Sequence, residues 1–353
     1  MSCTIAIALT ESGRLMPEQY STVDYHTGGE PFRIVASLPV AIEGSGVAEK
    51  RVFAMHSAEI ERIRQVLCFE PRGHADMYGG FIVEPDDEGA HFGVLFWHKD
   101  GFSTACGHGT IALGVWAIES GRVVADPSGS TDVIIDVPSG RVTARVHTTG
   151  DLVTSVDFIN VASYVLAERV PVSTSFGDVE VDVTFGGAIY AQLDASTVGL
   201  TVTPDDAAAV IAIGREIKWA LNDSVHAVHP TDDRLSGIYG TIVFQSLEPT
   251  ADGSVRQRNA TIFADGELDR SPCGSGTCAR IATLTANGTL PNGGTLVHDS
   301  IVGSQFTAIV LDRTEVSGHA AVMPQVTGMA FKTGEHLFSV DPRDTLTPGF
   351  VLR

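Results

Sequence analysis

The sequence predicts an α/β protein of the α+β kind, built as two similar domains. Length is the first observation, because 353 residues is about two domains' worth at roughly 100–200 residues each. The second is texture: many short apolar–polar runs are broken by Gly, Pro and Asp, and few stretches keep a helical period. The third is an internal repeat, in which the same Cys-Gly-rich turn opens a helix-like run once in each half.

Strands are expected at 32–36, 81–84, 92–96, 133–137, 141–146, 180–185, 241–245, 260–263, 304–311 and 335–340. In 179–183 the order Val-Glu-Val-Asp-Val alternates as a half-buried strand does. Apolar residues at near-helical spacing predict helices at 57–67 and 204–221, the second opening on Pro204, Asp205 and Asp206. Residues 1–20 read as a loose N-terminal extension.

The repeat lies in the two remaining helices. Residues 105–121 run Ala-Cys-Gly-His-Gly-Thr, then IALGVWAIES, then Gly; residues 272–288 run Pro-Cys-Gly-Ser-Gly-Thr, then CARIATLTAN, then Gly. Gly121 follows Cys106 at the spacing at which Gly288 follows Cys273, and each suits the left-handed residue that ends a helix. Matching of this kind marks a duplicated chain.

A Cys at a helix N-terminus feels the positive end of the helix dipole, which is expected to lower its pKa. The free N–H groups beside it bind carboxylates. Each half therefore offers one thiol beside one anion nest, at Gly107–His108 and at Gly274–Ser275. Packed face to face, the two thiols would flank the carbon next to a bound carboxylate. One would take its α-proton and the other return a proton to the opposite face, by general acid–base catalysis with no cofactor. Cys3, Cys68 and Cys278 are explained by exposure or packing.

Composition bounds the alternatives. Lys and Arg number 23 against 43 Asp and Glu, a net charge of −20, which speaks against non-specific binding to nucleic acid or anionic membranes. Hydrophobic residues at 43% can supply a sizeable core. Five cysteines are not a disulfide framework, and no signal peptide or run of about 20 apolar residues is seen, so a cytoplasmic protein is expected. Cys106-x-His108 and His226-x-x-His229 lack the further ligands a metal site needs, so none is expected. Lys50, Lys99, Lys218 and Lys332 show no Schiff-base context for pyridoxal phosphate. A non-catalytic amino-acid binder would use the nests but leaves the paired thiols unexplained. T-G-G-E-P at 27–31 reads as a turn between strands.

The segments DYHTGGEPFRIV (24–35), EPRGHADMYGG (70–80), ACGHGTIAL (105–113), FGGAIYA (185–191) and DRSPCGSGTCAR (269–280) resemble the proline racemase family, which has the diaminopimelate epimerase-like fold. The resemblance covers the chain from about residue 22 to Arg353. It implies two domains, each a sheet or barrel wrapped around a central helix, with the ligand in the cleft between them. The domains would be 21–165, with 328–353 returning to it, and 166–327. By resemblance Cys106 and Cys273 are the catalytic thiols, and Gly107, His108, Gly274 and Ser275 hold the substrate carboxylate. Asp269 binds the ring nitrogen, and Tyr78 and Phe263 line the pocket. The resemblance also implies a homodimer.

Three activities belong to the resemblance: proline racemisation, 4-hydroxyproline 2-epimerisation and dehydration of trans-3-hydroxy-L-proline. The second thiol, Cys273, favours a racemase or epimerase of proline or hydroxyproline, because dehydratases of the family typically carry Thr there. Segments 89–96, 186–191 and 239–242 look more like the dehydratase branch, which remains the alternative.

Overall fold

The computed structural model describes residues 18–352, so Cys3 and most of the expected extension lie outside the described residues. Residues 18–20, expected in that extension, instead open the first strand. The first half runs β1 (Glu18–Thr27), β2 (Glu30–Val35), α1 (Val47–His56), α2 (Ala58–Cys68), β3 (Gly79–Val83), β4 (Phe92–His98), β5 (Gly101–Phe102), α3 (Gly107–Glu119), β6 (Ser130–Val137), β7 (Gly140–Thr149) and β8 (Leu152–Ile159). The second runs β9 (Ser163–Thr174), β10 (Gly177–Phe185), β11 (Ile189–Asp194), α4 (Ala207–Asn222), β12 (Ile238–Ser246), β13 (Val255–Phe263), β14 (Glu267–Leu268), α5 (Gly274–Ala286), β15 (Thr295–Ser300), β16 (Gln305–Val316) and β17 (His319–Gly328). β18 (Ala330–Val340) ends the chain's regular structure.

The two halves repeat one order of pairing. β1–β2, β3–β4, β6–β7 and β7–β8 are antiparallel, while β2–β3 and β4–β6 are parallel. In the same order, β10–β11, β12–β13, β15–β16 and β16–β17 are antiparallel, while β11–β12 and β13–β15 are parallel. β18 returns to lie antiparallel to β1, as β9 does to β10. The duplication therefore extends far beyond the Cys turns. One difference is closure: β17 also pairs with β9, which closes an eight-stranded barrel in the second half. The first sheet curls without closing and joins the barrel through β8–β17.

Each curled sheet holds one helix. Every residue from Gly107 to Ala117 in α3, and from Gly274 to Leu284 in α5, is buried. A helix apolar on all faces has no stable place except inside a core, and IALGVWA is such a sequence. Each fully buried Ile, Leu or Val there contributes about 1.5–3 kcal/mol relative to exposure. α5 buries polar groups as well, and the largest is paired: Arg280 donates to Gln257 Oε1 and Gln192 Oε1 at 2.8 Å each. The expected stops hold, with Gly121 and Gly288 at φ +71° and +77°.

Candidate active site

α3 and α5 meet head to head at the seam between the halves. A Cβ on Gly107 would lie 2.5 Å from Gly274 Cα, and one on Gly274 would lie 2.6 Å from Gly107 Cα. No side chain fits at either position, so the two glycines are what let the helix starts touch. The N–H groups of Gly107, His108, Gly274 and Ser275 are first-turn groups, which a helix cannot satisfy internally. Two positive helix ends thus converge on one spot, which suits a carboxylate.

Each helix is capped by its cysteine. Cys106 Sγ accepts from Gly109 N–H at 3.2 Å, and Cys273 Sγ accepts from Gly276 N–H at 3.3 Å. Both thiols are buried, at 4% and 6% exposure. The expectation of a lowered thiol pKa needs correction. Burial pushes both thiols well above their ordinary range, and the N–H groups of Gly109 and Gly276 only partly offset it. The Asp269 carboxylate raises both further, and the Cys273 charge also raises Cys106. The closed site therefore holds two neutral thiols.

Asp269 follows β14, buried under the start of α5, and accepts from Ser271 N–H at 2.7 Å. Burial pushes its carboxyl up to about 6, against the lowering effect of hydrogen bonds from Ser271 and Cys273. Glu30 lies beside it, fully buried, with Oε2 taking Arg270 N–H at 2.8 Å. Burial, then the charge of Asp269, holds Glu30 well above the carboxylate range. Glu30 belongs to the T-G-G-E-P segment, which is the expected turn between β1 and β2. That turn also braces α3, because Thr27 Oγ1 donates to His108 O at 2.9 Å.

Aromatic rings wall the space. Tyr78, just before β3, stands 4.9 Å from the His108 ring and 5.7 Å from Phe263, which ends β13. His108 Nδ1 is 3.5 Å from Cys106 Sγ, and burial drives its imidazole down to about 3, so it stays neutral. Thus all nine residues singled out in the sequence gather at one seam. Three neighbours escaped that reading. Tyr190 OH lies 2.7 Å from Ser275 Oγ and 4.0 Å from Cys273 Sγ. Tyr239 OH meets Tyr78 OH at 3.0 Å across the seam. Thr261 lowers the pKa of Cys273 by hydrogen bonding. Tyr190 and Tyr239 sit in GGAIYA and YGTI, segments noted for family likeness without a role being given to the tyrosines.

The remaining cysteines behave as packing residues: Cys68 and Cys278 are buried with thiols raised by burial. Among the described residues, His98, Asp100 and Glu267 bring ligand atoms within 4.8 Å of one another. Lys99 Nζ already stands 2.7 Å from Asp100 and 3.9 Å from Glu267, so that acidic pair has its cation. His229 Nε2 is 3.0 Å from Tyr164 OH, a bond within the barrel core. Among the described residues, no helix is long and apolar enough to cross a membrane.

The chain is similar in sequence and fold to several known proteins. A trans-3-hydroxy-L-proline dehydratase of Bacillus cereus is 43% identical over 334 residues, covering 94% of this chain and 98% of its own. A 3-hydroxyproline 2-epimerase of Burkholderia multivorans is equally similar, at 43% over 334 residues with the same coverage. The crystal structure of a hydroxyproline epimerase from Agrobacterium vitis, with bound trans-4-hydroxy-L-proline, superposes with a TM-score of 0.87 at 30% identity. It covers 95% of this chain and 96% of that one. A phenazine biosynthesis protein of the PhzF family from Bacillus anthracis, at 12% identity and a TM-score of 0.54, shares the fold alone. Residues 22–351 match the family described as proline racemase, and with that span added to the two Cys-capped helices, the chain belongs to the proline racemase family.

Proposed function

We propose that the protein inverts the α-carbon of proline or a hydroxyproline, with Cys106 and Cys273 as a two-thiol acid–base pair. The observation that carries this reading is the head-to-head contact of the two Cys-capped helices through Gly107 and Gly274. In this scheme the N–H groups of Gly107, His108, Gly274 and Ser275 hold the carboxylate, and Asp269 takes the cationic ring nitrogen. Tyr78 and Phe263 bound the ring. A cation on Asp269 offsets the negative charge that disfavours thiolate at both cysteines, so substrate binding itself helps ionise one thiol. That thiolate removes the α-proton, the helix ends stabilise the charge that spreads onto the carboxylate, and the facing S–H protonates the planar carbon from the other side. The chain's own groups carry every step.

Thiols this buried must be uncovered for substrate to reach them. We infer that 21–165 with 328–353, and 166–327, act as two domains that part along the seam. Free thiols at both positions suit a reducing cytoplasm.

A second reading rests on the relatives named as dehydratases. Loss of the α-proton from trans-3-hydroxy-L-proline, with departure of the 3-hydroxyl as water, would give a cyclic enamine that tautomerises to Δ1-pyrroline-2-carboxylate. Proton NMR in D₂O with L-proline, trans-4-hydroxy-L-proline and trans-3-hydroxy-L-proline, each alone, separates the two. Inversion gives α-proton exchange with growth of the epimer's signals for the two hydroxyprolines, and α-proton exchange with loss of optical rotation for L-proline. Loss of the hydroxyl without any epimer would replace the first reading by the second, and no exchange with any of the three would remove both.

A further inference from the structure

Beside the seam lies a cavity of about 440 Å³ that neither cysteine lines. Both halves build it: Arg51 comes from α1 and Lys218 from α4. Its rim carries the exposed Asp100 and Trp219, and its inner end is formed by Ser103 and Tyr239. The hydroxyls of Ser103 and Tyr239 both meet Tyr78 OH, at 2.5 and 3.0 Å. One layer of hydroxyl-bearing side chains therefore separates the cavity from the ring that packs on His108.

The charges there do not cancel. Asp100 is engaged by Lys99 and Asp265 by Arg215, each at 2.7 Å. Glu267, behind them, is fully buried 3.9 Å from Lys99 Nζ, and burial raises its carboxyl well above the carboxylate range. Among the described residues, Arg51 donates to backbone carbonyls alone, Phe102 O at 2.8 and 2.9 Å and Arg234 O at 3.2 Å. Lys218 is nine-tenths buried, donates to Ala264 O and faces the Trp219 ring at 4.8 Å, so among the described residues its ammonium, whose pKa burial lowers to about 8, has one oxygen acceptor for three protons. A buried ammonium short of acceptors is costly unless a ligand or water completes it. In a chain of net charge −20, this is a local positive cavity facing the catalytic seam.

We propose that this cavity is a vestibule that binds the carboxylate of the incoming imino acid on Lys218 and Arg51, before the Tyr78–Tyr239 contact parts to admit it. The inference rests on the function proposed above, and goes beyond it by assigning a separate binding station outside the thiol pair.

The test compares KM with kcat for α-proton exchange in wild type, Lys218→Met and Lys218→Arg, alongside calorimetric titration of each with L-proline and trans-3-hydroxy-L-proline. Lys218→Met should raise KM by about 10-fold or more while kcat falls less than about threefold, and Lys218→Arg should restore most of the loss. An unchanged KM, or a fall in kcat alone, overturns the vestibule. If Lys218→Met does not fold, Arg51→Met is read by the same criteria. If wild type exchanges no α-proton, the thiol chemistry fails independently, and calorimetry decides the vestibule: binding lost in Lys218→Met supports it, while binding unchanged, or absent in wild type, overturns it.

Discussion

The two half-sites share a plan and differ in detail. Cys106 caps α3 from an ordinary extended backbone, φ −156°, with the neutral His108 ring at its sulfur. Cys273 caps α5 at φ +61°, a left-handed conformation costly to any residue with a Cβ, and has Asp269, Thr261 and Tyr190 around it. The sulfur is set in the same relation to its helix both times, accepting from the third N–H onward. Duplication thus preserved the helix-start geometry while the surroundings diverged. Under the proposed inversion, identical thiols in unlike settings would suit a hydroxyproline, whose two epimers differ only at Cα.

Removing a thiol tests the comparison most severely. Cys106→Ala and Cys273→Ala should each cut inversion by about 10²–10⁴-fold, the usual scale of a lost general acid or base. The sharper variant is Cys273→Thr, the residue typical of family dehydratases. If Cys106 alone can take the α-proton of an L-substrate, this variant keeps α-proton loss from trans-3-hydroxy-L-proline while losing epimer formation. Equal loss of both in an NMR assay would show that Cys273 is needed even for the first step.

Asp269→Asn comes next. Losing the partner of a buried cation should lower kcat/KM by about two to three orders of magnitude. Its effect on pH has a definite sign. The Asp269 charge raises both thiols, so neutralising it favours thiolate, and the limb of the pH–rate profile that reports thiolate formation should move to lower pH. The wild-type profile should be bell-shaped, since one thiolate and one thiol are required together. A limb that stays fixed or moves upward in Asp269→Asn would mean that Asp269 does not act on the thiols through its charge.

Much of this site was legible before any coordinates, for a physical reason. A Cys-Gly-x-Gly-Thr turn before a wholly apolar run encodes its own geometry: the cap, the close approach and the buried helix are all local. What was missed is non-local. Tyr190 and Tyr239 reach the site because β11 and β12 pair in parallel beside α5, and no spacing in the sequence announces that register. The thiol pKa direction was misread for the same reason: the dipole and N–H effects are local and foreseeable, whereas burial is made by residues distant in sequence, such as Tyr78 near Cys106 and Tyr190 near Cys273. α1 went unseen because VAEKRVFAMH has no clean apolar face, and α1 buries only Val47, Lys50 and Ala54. β1, β8, β9, β11, β15 and β17, with the two-residue β5 and β14, were missed as strands, because the repeat is clear in the sequence only at the Cys turns and their helices.

The glycines at the seam offer a symmetrical perturbation. Gly107→Ala and Gly274→Ala each place a methyl group about 2.5 Å from backbone of the other helix, so each should cost about 1–3 kcal/mol as overpacking does. The two should be nearly equal, because the contact is shared. Denaturant titration of both variants would reveal a marked inequality, which would mean that one helix start yields more readily than the other.

The backbone at the two caps gives the smallest effect and the cleanest contrast. A Cys→Gly change removes the same thiol at either position and adds the same unfolded-chain entropy, which costs about 0.5–1 kcal/mol. At Cys106 nothing offsets this, because φ −156° suits any residue. At Cys273 the change also relieves a left-handed residue, worth about 1–3 kcal/mol. Cys273→Gly should therefore melt higher than Cys106→Gly, and Cys273→Ala should melt lower than Cys273→Gly, since Ala keeps the strained Cβ without the sulfur. Thermal melts of the three variants settle the order. If Cys106→Gly proves the more stable, then Cys273 is not strained in the folded protein, and the asymmetry between the half-sites lies wholly in their side-chain neighbours.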